Sequence, residues 1–280
     1  MEELEQSQNP ARLILFVLGA ARVPPEPALP GPALVALLGD LGLTEGAARS
    51  AILRLRRGGW LVSHRTGRTV AYAPSDQVLA GHRRRADSFG PARRPQWDGW
   101  FHALLVSVPE QRRAFRDELR RAAHLAGYAT LRPGLMVAPS DRRNELGDLV
   151  ARVPPGASVV AGRLELELDE TRKVARQLWA LDDLGRRYRA LAAQARAASK
   201  AAQAGDLTGS DAFVAFAAAT LPMYEAVADD PGLPAELLPA QWPAPELGAA
   251  LAEALRAFGP PVTAHISDLR SRAHQATAGR

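Results

Sequence analysis

The chain has 280 residues, of which 47% are apolar and 23% charged, with no cysteine and a net charge of +5. That balance excludes a disordered chain, and the missing cysteine excludes disulfide scaffolds, thiolate zinc sites and cysteine nucleophiles. The best apolar run, Leu13–Ala21, falls short of the roughly 18 residues of a membrane span, and Met1–Asn9 carries Glu but no basic residue, unlike a secretory signal; a cytoplasmic protein is expected.

Residues 10–75 read as helix, helix, helix, hairpin. Ala11–Ala21 is apolar nearly all round, as a buried helix would be. Arg22–Pro30 holds four prolines and reads as a loop. Gly31-Pro32 opens a second helix, with proline at its first position where no donor is needed. Leu34, Val35, Leu37, Leu38 and Leu41 form its apolar side; Gly42 ends it and Thr44 caps the next. In the third helix, Thr44–Arg57, the residues Ala48, Ala51, Ile52 and Leu55 follow the i, i+3, i+4, i+7 rule. Arg49, Ser50, Arg54, Arg56 and Arg57 fall on the rest of its circumference. Gly58-Gly59 stops it, and Trp60–Ser63 and Thr69–Ala73 read as short strands about a turn at His64–Arg68. This is the order of a winged helix-turn-helix, whose recognition helix enters the major groove. Arg49, Ser50 and Arg54 are the base-edge candidates, since Arg binds guanine bidentately; Arg57, Arg65 and Arg68 suit phosphates, and Thr44 completes the predicted DNA-binding set.

Charge supports this. Residues 44–94 hold eleven arginines against Glu45, Asp76 and Asp87, a net +8 that leaves −3 for the rest of the chain. Such a block attracts a phosphate backbone. Its end, residues 76–95 with Arg83-Arg84-Arg85 and Arg93-Arg94-Pro95, reads as a basic linker.

Residues 96–170 change character. Phe101–Val108 reads as a buried strand. Pro109 starts an amphipathic helix with Phe115, Leu119, Ala122 and Ala126 on one face. Tyr128–Ala138 holds a strand broken at Arg132-Pro133-Gly134, Asp141–Ala151 a short helix, and Ser158–Leu168 another strand with Glu165 and Glu167 on its solvent face. The alternation predicts a ferredoxin-like α/β sandwich. Residues 171–280 read as an all-helical domain: one long seam through Val174, Leu178, Leu181, Leu184, Tyr188, Leu191 and Ala195, then helices over Phe213–Ala228 and Pro245–Phe258. Five prolines in Asp230–Pro245 exclude regular structure there. The expected class is therefore α+β and multidomain: winged helix-turn-helix (1–75), basic linker (76–95), ferredoxin-like domain (96–170) and helical C-terminal domain (171–280).

Catalytic chemistry has little support. The six histidines show no metal-ligand spacing, and there is no Gly-rich phosphate loop or G-x-S-x-G elbow. Asp98, near the first strand of the middle domain, reads as a turn residue or, alternatively, as a metal ligand of a nuclease. No catalytic residue, metal or cofactor is assigned. Trp179, Tyr188, Phe213, Phe216, Tyr224, Trp242 and Phe258 read as core or as the lining of an aromatic pocket.

Three stretches carry a family resemblance: Ala47-Ala48-Arg49-Ser50-Ala51-Ile52-Leu53-Arg54-Leu55 with Gly59-Trp60-Leu61; Trp97-Asp98-Gly99 through Val106-Ser107-Val108-Pro109-Glu110 to Arg113 and Arg116; and Asp230-Pro231, Leu233-Pro234, Glu236-Leu237-Leu238-Pro239 and Trp242-Pro243. Together they resemble the PaaX-like transcriptional regulators, the repressors of phenylacetic acid degradation, over about residues 10–260. The chain departs from the family pattern at Ala244, where glycine is usual, and in its proline-rich Val23–Pro32 loop. The resemblance implies a homodimeric repressor of double-stranded DNA, released by an acyl-coenzyme A such as phenylacetyl-coenzyme A. Arg112, Arg113 and Arg116 would then meet the coenzyme phosphates, and Trp179, Tyr188 and Trp242 an aryl group. A solvated helix face and core packing are the plain alternatives for these residues. A metal-dependent nuclease built on the middle domain, or a DNA-binding protein without an effector, are the rival functions.

Overall fold

The computed structural model describes residues 9–21, 28–66, 69–76, 78–79, 94, 96–228 and 230–278. Asn9 opens helix α1 (Pro10–Ala20): its side chain accepts a 3.0 Å hydrogen bond from the Ala11 amide, and Pro10 occupies the first turn. Strand β1 (Leu29–Pro30) leads directly into α2 (Gly31–Asp40), and Gly42, at φ +88°, turns the chain into α3 (Glu45–Arg57). Strands β2 (Leu61–Thr66) and β3 (Thr69–Pro74) follow, in an antiparallel sheet of order β1-β3-β2. The expected order of three helices and a hairpin is observed. One detail differs: β2 runs to Thr66, so His64 and Arg65 are strand residues rather than turn residues, paired with Ala71 and Val70. Gly67 and Arg68 lie outside the described residues, as do all of residues 22–27 and most of the 76–95 linker.

Next comes β4 (Trp100–Ser107), a single 3-10 turn, and helix α4 (Arg113–Leu125). Strands β5 (Ala129–Arg132) and β6 (Leu135–Ala138) form a hairpin around Gly134 at φ +78°. The segment expected as a short helix is a 3-10 stretch, Arg143–Leu149, kinked at Gly147. Strand β7 (Ser158–Glu165) closes a four-stranded antiparallel sheet of order β5-β6-β4-β7. The strand ends before Glu167, which instead stands at the residue just before helix α5 (Leu168–Leu178), without a side-chain cap bond, and so does not share a strand face with Glu165.

The long seam expected from Val174 to Ala195 is interrupted. Helix α5 stops at Leu178, Ala180 adopts φ +44°, and α6 (Leu181–Ala204) begins anew. Helix α7 (Gly209–Ala228) follows, and α8 (Ala244–Ala278) runs far past Phe258, through Pro260 and Pro261. Prolines remove amide donors and usually end a helix. Here Val262, Ile266 and Ala273 continue the buried stripe beyond them, so packing carries the helix on.

The compact units cut across the four segments drawn from the sequence. One unit combines residues 1–86 with 188–228 and 246–280; the other combines 87–187 with 229–245. The first is built on one core. Leu13, Ile14, Phe16 and Val17 of α1, with Leu34, Leu37 and Leu38 of α2, pack with Phe213 and Phe216 of α7 and Phe258, Val262 and Ile266 of α8. Phe16 stacks on Phe216 at 5.7 Å and meets Tyr224 edge-on at 5.6 Å. Polar contacts fix the same helices: His265 and Asp40 are 2.8 Å apart, and Arg270 donates to the Ala21 carbonyl at 2.8 Å.

In the second unit alternate residues of the sheet face two separate clusters, as the two-residue period of a strand requires. Phe101, Ala103 and Val137 pack with Ala175, Leu181, Leu233 and Leu237; Leu104, Met136 and Ala138 pack with Ala123, Ala126, Tyr128 and Leu146. The proline-rich segment thus covers one face of this sheet. It is clasped there by Arg94, whose guanidinium is 3.6 Å from Asp230 with both side chains nearly buried, and which donates to the Leu233 carbonyl at 2.9 Å. Arg172 adds a 2.9 Å bond to the Glu236 carbonyl.

Candidate nucleic-acid interface

Helix α3 is built to show one face. The Thr44 hydroxyl accepts from the Ala47 amide at 3.4 Å, satisfying an otherwise unpaired donor of the first turn. Ala48, Ala51, Ile52 and Leu55 are buried, as the periodicity predicts. Burying Ile52 and Leu55 is worth roughly 1.5–3 kcal/mol each, which anchors the helix by that stripe alone. Gly59, at φ +73°, then reverses the chain into β2. Arg49, Ser50, Arg54, Arg56 and Arg57 are all exposed. Arg49 is held by Glu45 through a 2.9 Å bond from its Nε, which fixes the guanidinium along the helix flank. Arg54, Arg56 and Arg57 cluster in the last turn, where cations also complement the helix dipole.

Arg65 is exposed on β2, opposite Val70. Arg68, Arg83, Arg84, Arg85 and Arg93 lie outside the described residues. Arg94 leaves the basic block altogether: its charge is used on Asp230 in the second unit. On α3, just after it and on the hairpin, four large apolar side chains are exposed among the described residues: Leu53 (38%), Trp60 (53%), Val62 (40%) and Val70 (37%). Leu53 has only polar helical neighbours at i±3 and i±4, a pattern that periodicity alone does not flag.

Within the second unit, the residues expected at an effector site fall on opposite faces of the sheet. Arg112 is exposed, Arg113 lies 3.5 Å from Asp117, and Arg116 lies 3.0 Å from Glu110, whose hydrogen bond and charge raise the guanidinium pKa further. These arginines belong to α4 and the turn before it, over the Leu104 face of the sheet. Trp179 and Trp242 pack on the opposite, Phe101 face, with the Trp179 ring 6.0 Å from that of Phe101. Tyr188 is fully buried in the other unit and donates to the Ala226 carbonyl at 3.4 Å. An open cleft of about 190 Å³ does exist in the second unit, lined by His102, Ala103, Tyr128, Asp141, Arg143, Ala161, Gly162 and Arg163, and none of the six expected residues lines it. Its charged side chains already have partners. Arg143 hydrogen-bonds Asp141 and lowers that carboxyl to about 2, and the Arg163 guanidinium sits 4.2 Å over the Trp100 ring. Asp98 pairs with His102 at 2.9 Å; among the described residues no three His, Cys, Asp or Glu side chains gather as a metal-ligand set.

Family models match the chain in three consecutive stretches: PaaX-like protein over residues 9–78, PaaX protein central Cas2-like domain over 94–174, and PaaX-like protein C-terminal domain over 179–268. The transcriptional repressor PaaX of Escherichia coli (strain K12) is 30% identical over 216 residues, 75% of this chain and 67% of that protein. The chain belongs to the PaaX family. Among solved structures, an uncharacterized protein from Mycobacterium tuberculosis is similar at 28% identity with a TM-score of 0.54, over 91% of this chain and 98% of its own. The PaaX-like model ends at residue 78, so it takes in α1–α3 and the hairpin with their exposed arginines. Among the described residues no helix is long and apolar enough to cross a membrane.

Proposed function

We propose that this PaaX-family chain is a sequence-specific transcriptional repressor acting in the cytoplasm. It binds double-stranded DNA as a homodimer and is released by an acyl-coenzyme A such as phenylacetyl-coenzyme A. The observation that carries the DNA-binding part is α3: buried on one stripe, with Arg49, Arg54, Arg56 and Arg57 exposed off it, and preceded by α2 across a tight glycine turn. We read α2, α3 and the β2–β3 hairpin as a winged helix-turn-helix. The order β5-β6-β4-β7, with α4 between β4 and β5, supports reading the middle part as a ferredoxin-like sandwich. The name of the Escherichia coli relative supports repression, and the family resemblance supports the dimer and its effector. Two heads would occupy half-sites one DNA turn, about 10 base pairs, or a multiple of it apart. No catalytic step belongs to this reading.

Arg54 reads base edges, whereas Arg65 on the hairpin meets phosphate. Binding is tested by fluorescence anisotropy on the DNA upstream of this protein's own gene, at several salt concentrations, with and without phenylacetyl-coenzyme A. Arg54→Ala is expected to relax base preference. Arg65→Ala is expected to weaken every sequence alike and to flatten the salt slope by about one. Identical behaviour of the two variants would overturn the division into base and phosphate readers, and binding indifferent to the ligand would overturn this choice of effector.

A further inference from the structure

Helix geometry singles out the part of α3 that lies deepest in any groove the helix enters. At about 3.6 residues per turn, Gly46, Ser50, Leu53 and Arg57 form the stripe diametrically opposite the buried Ala48, Ala51, Ile52 and Leu55. Arg49 and Arg54 flank that stripe. Two of its four residues stand apart from the buried stripe without being charged or polar. Leu53 is 38% exposed, and its helical neighbours at i±3 and i±4, Arg49, Ser50, Arg56 and Arg57, are all polar. Gly46 is an ordinary helical residue, and a Cβ there would meet nothing within 4 Å. Alanine would make a better helix at that position. A bare backbone at one end of the stripe and an isolated aliphatic group in its middle make sense together if this face is pressed against a surface with an apolar feature of its own. The major groove offers one such group, the 5-methyl of thymine.

Resting on the DNA-binding reading above, we infer that Leu53 is a specificity-determining residue that packs on a thymine methyl in each half-site, while Gly46 lets the first turn of α3 approach the DNA closely. Arginines on the flanks then read guanine or phosphate, and the centre of the helix reads a methyl group.

The test uses the full chain and a duplex enriched by it from a random pool. Each thymine of that duplex is replaced in turn by deoxyuridine, which deletes only the methyl. In each half-site one replacement is expected to weaken wild-type binding about fourfold, the worth of one buried methyl. Leu53→Ala is expected to bind the thymine and deoxyuridine duplexes equally, with little change in Tm because the side chain stands opposite the buried stripe. Gly46→Ala is expected to raise Tm yet bind the selected duplex more weakly. If a duplex is enriched but no deoxyuridine weakens binding, or if Leu53→Ala keeps the wild-type penalty, the methyl contact is overturned while the repressor reading stands. If the pool yields no preferred sequence, both fall.

Discussion

Ala180 holds a left-handed backbone, φ +44°, and is exposed. For a residue with a Cβ that conformation costs about 1–2 kcal/mol, and the cost sits where α5 ends and α6 begins. Ala180→Gly is therefore expected to stabilise the chain by up to about 1 kcal/mol, after the extra unfolded-state freedom of glycine is subtracted, and urea unfolding measures it. A lower midpoint in the variant would show that the break is not strained. No residue in this stretch announces it, because alanine is the strongest helix former and the apolar period passes through 180 undisturbed. Arg94 was equally illegible: in the sequence it is one more arginine in a basic block, and only folding sets it against Asp230. Thr44, by contrast, was legible, because a cap is a local bond between a side chain and an amide three residues on.

Elements were legible where local period and punctuation agree. Helix α3, with a cap, a clean stripe and a double glycine, was read almost to the residue. Helix α8 was cut short at Phe258, because prolines read as a stop while the buried Val262 and Ile266 that override them belong to tertiary packing. The β5–β6 hairpin shows how strictly one turn can be specified. Gly134 has φ +78°, accepts a 2.7 Å bond from the Val106 amide, and a Cβ there would stand 2.9 Å from the Val106 carbonyl oxygen. Both the backbone angle and the close approach exclude a side chain. Gly134→Ala is expected to cost roughly 1–3 kcal/mol, read as a lower thermal midpoint. A variant as stable as the parent would mean that the turn relaxes away from β4.

On the scale of the whole molecule, the helices that complete the unit containing α3 come from the far end of the chain. Phe213, Phe216, Phe258, Val262 and Ile266 supply the other half of the core that α1 and α2 present. Residues 1–86 alone would expose that half to water, at about 25 cal/mol for each Å² left unburied. Expressed by themselves they are expected to show no cooperative thermal transition and no sequence preference for DNA; a sharp melt by circular dichroism would overturn this. The sequence revealed the helices but not their partners, since a periodic stripe states that something covers it and not which segment does. The proline-rich stretch is the same lesson reversed: recognisable as a motif, it gave no sign that it lies on the sheet of the second unit.

That interleaving bears on how the protein is made. The ribosome delivers α3 and its arginines 209 residues ahead of Ile266, yet the core that steadies α1 and α2 stays open until Ile266 has left the exit tunnel. A nascent chain therefore carries a basic helix long before the core beneath it is finished. Contacts between such distant parts of a chain form slowly. A transcript truncated anywhere before the last helix should yield a product cleared by proteolysis rather than a crippled competitor for the operator.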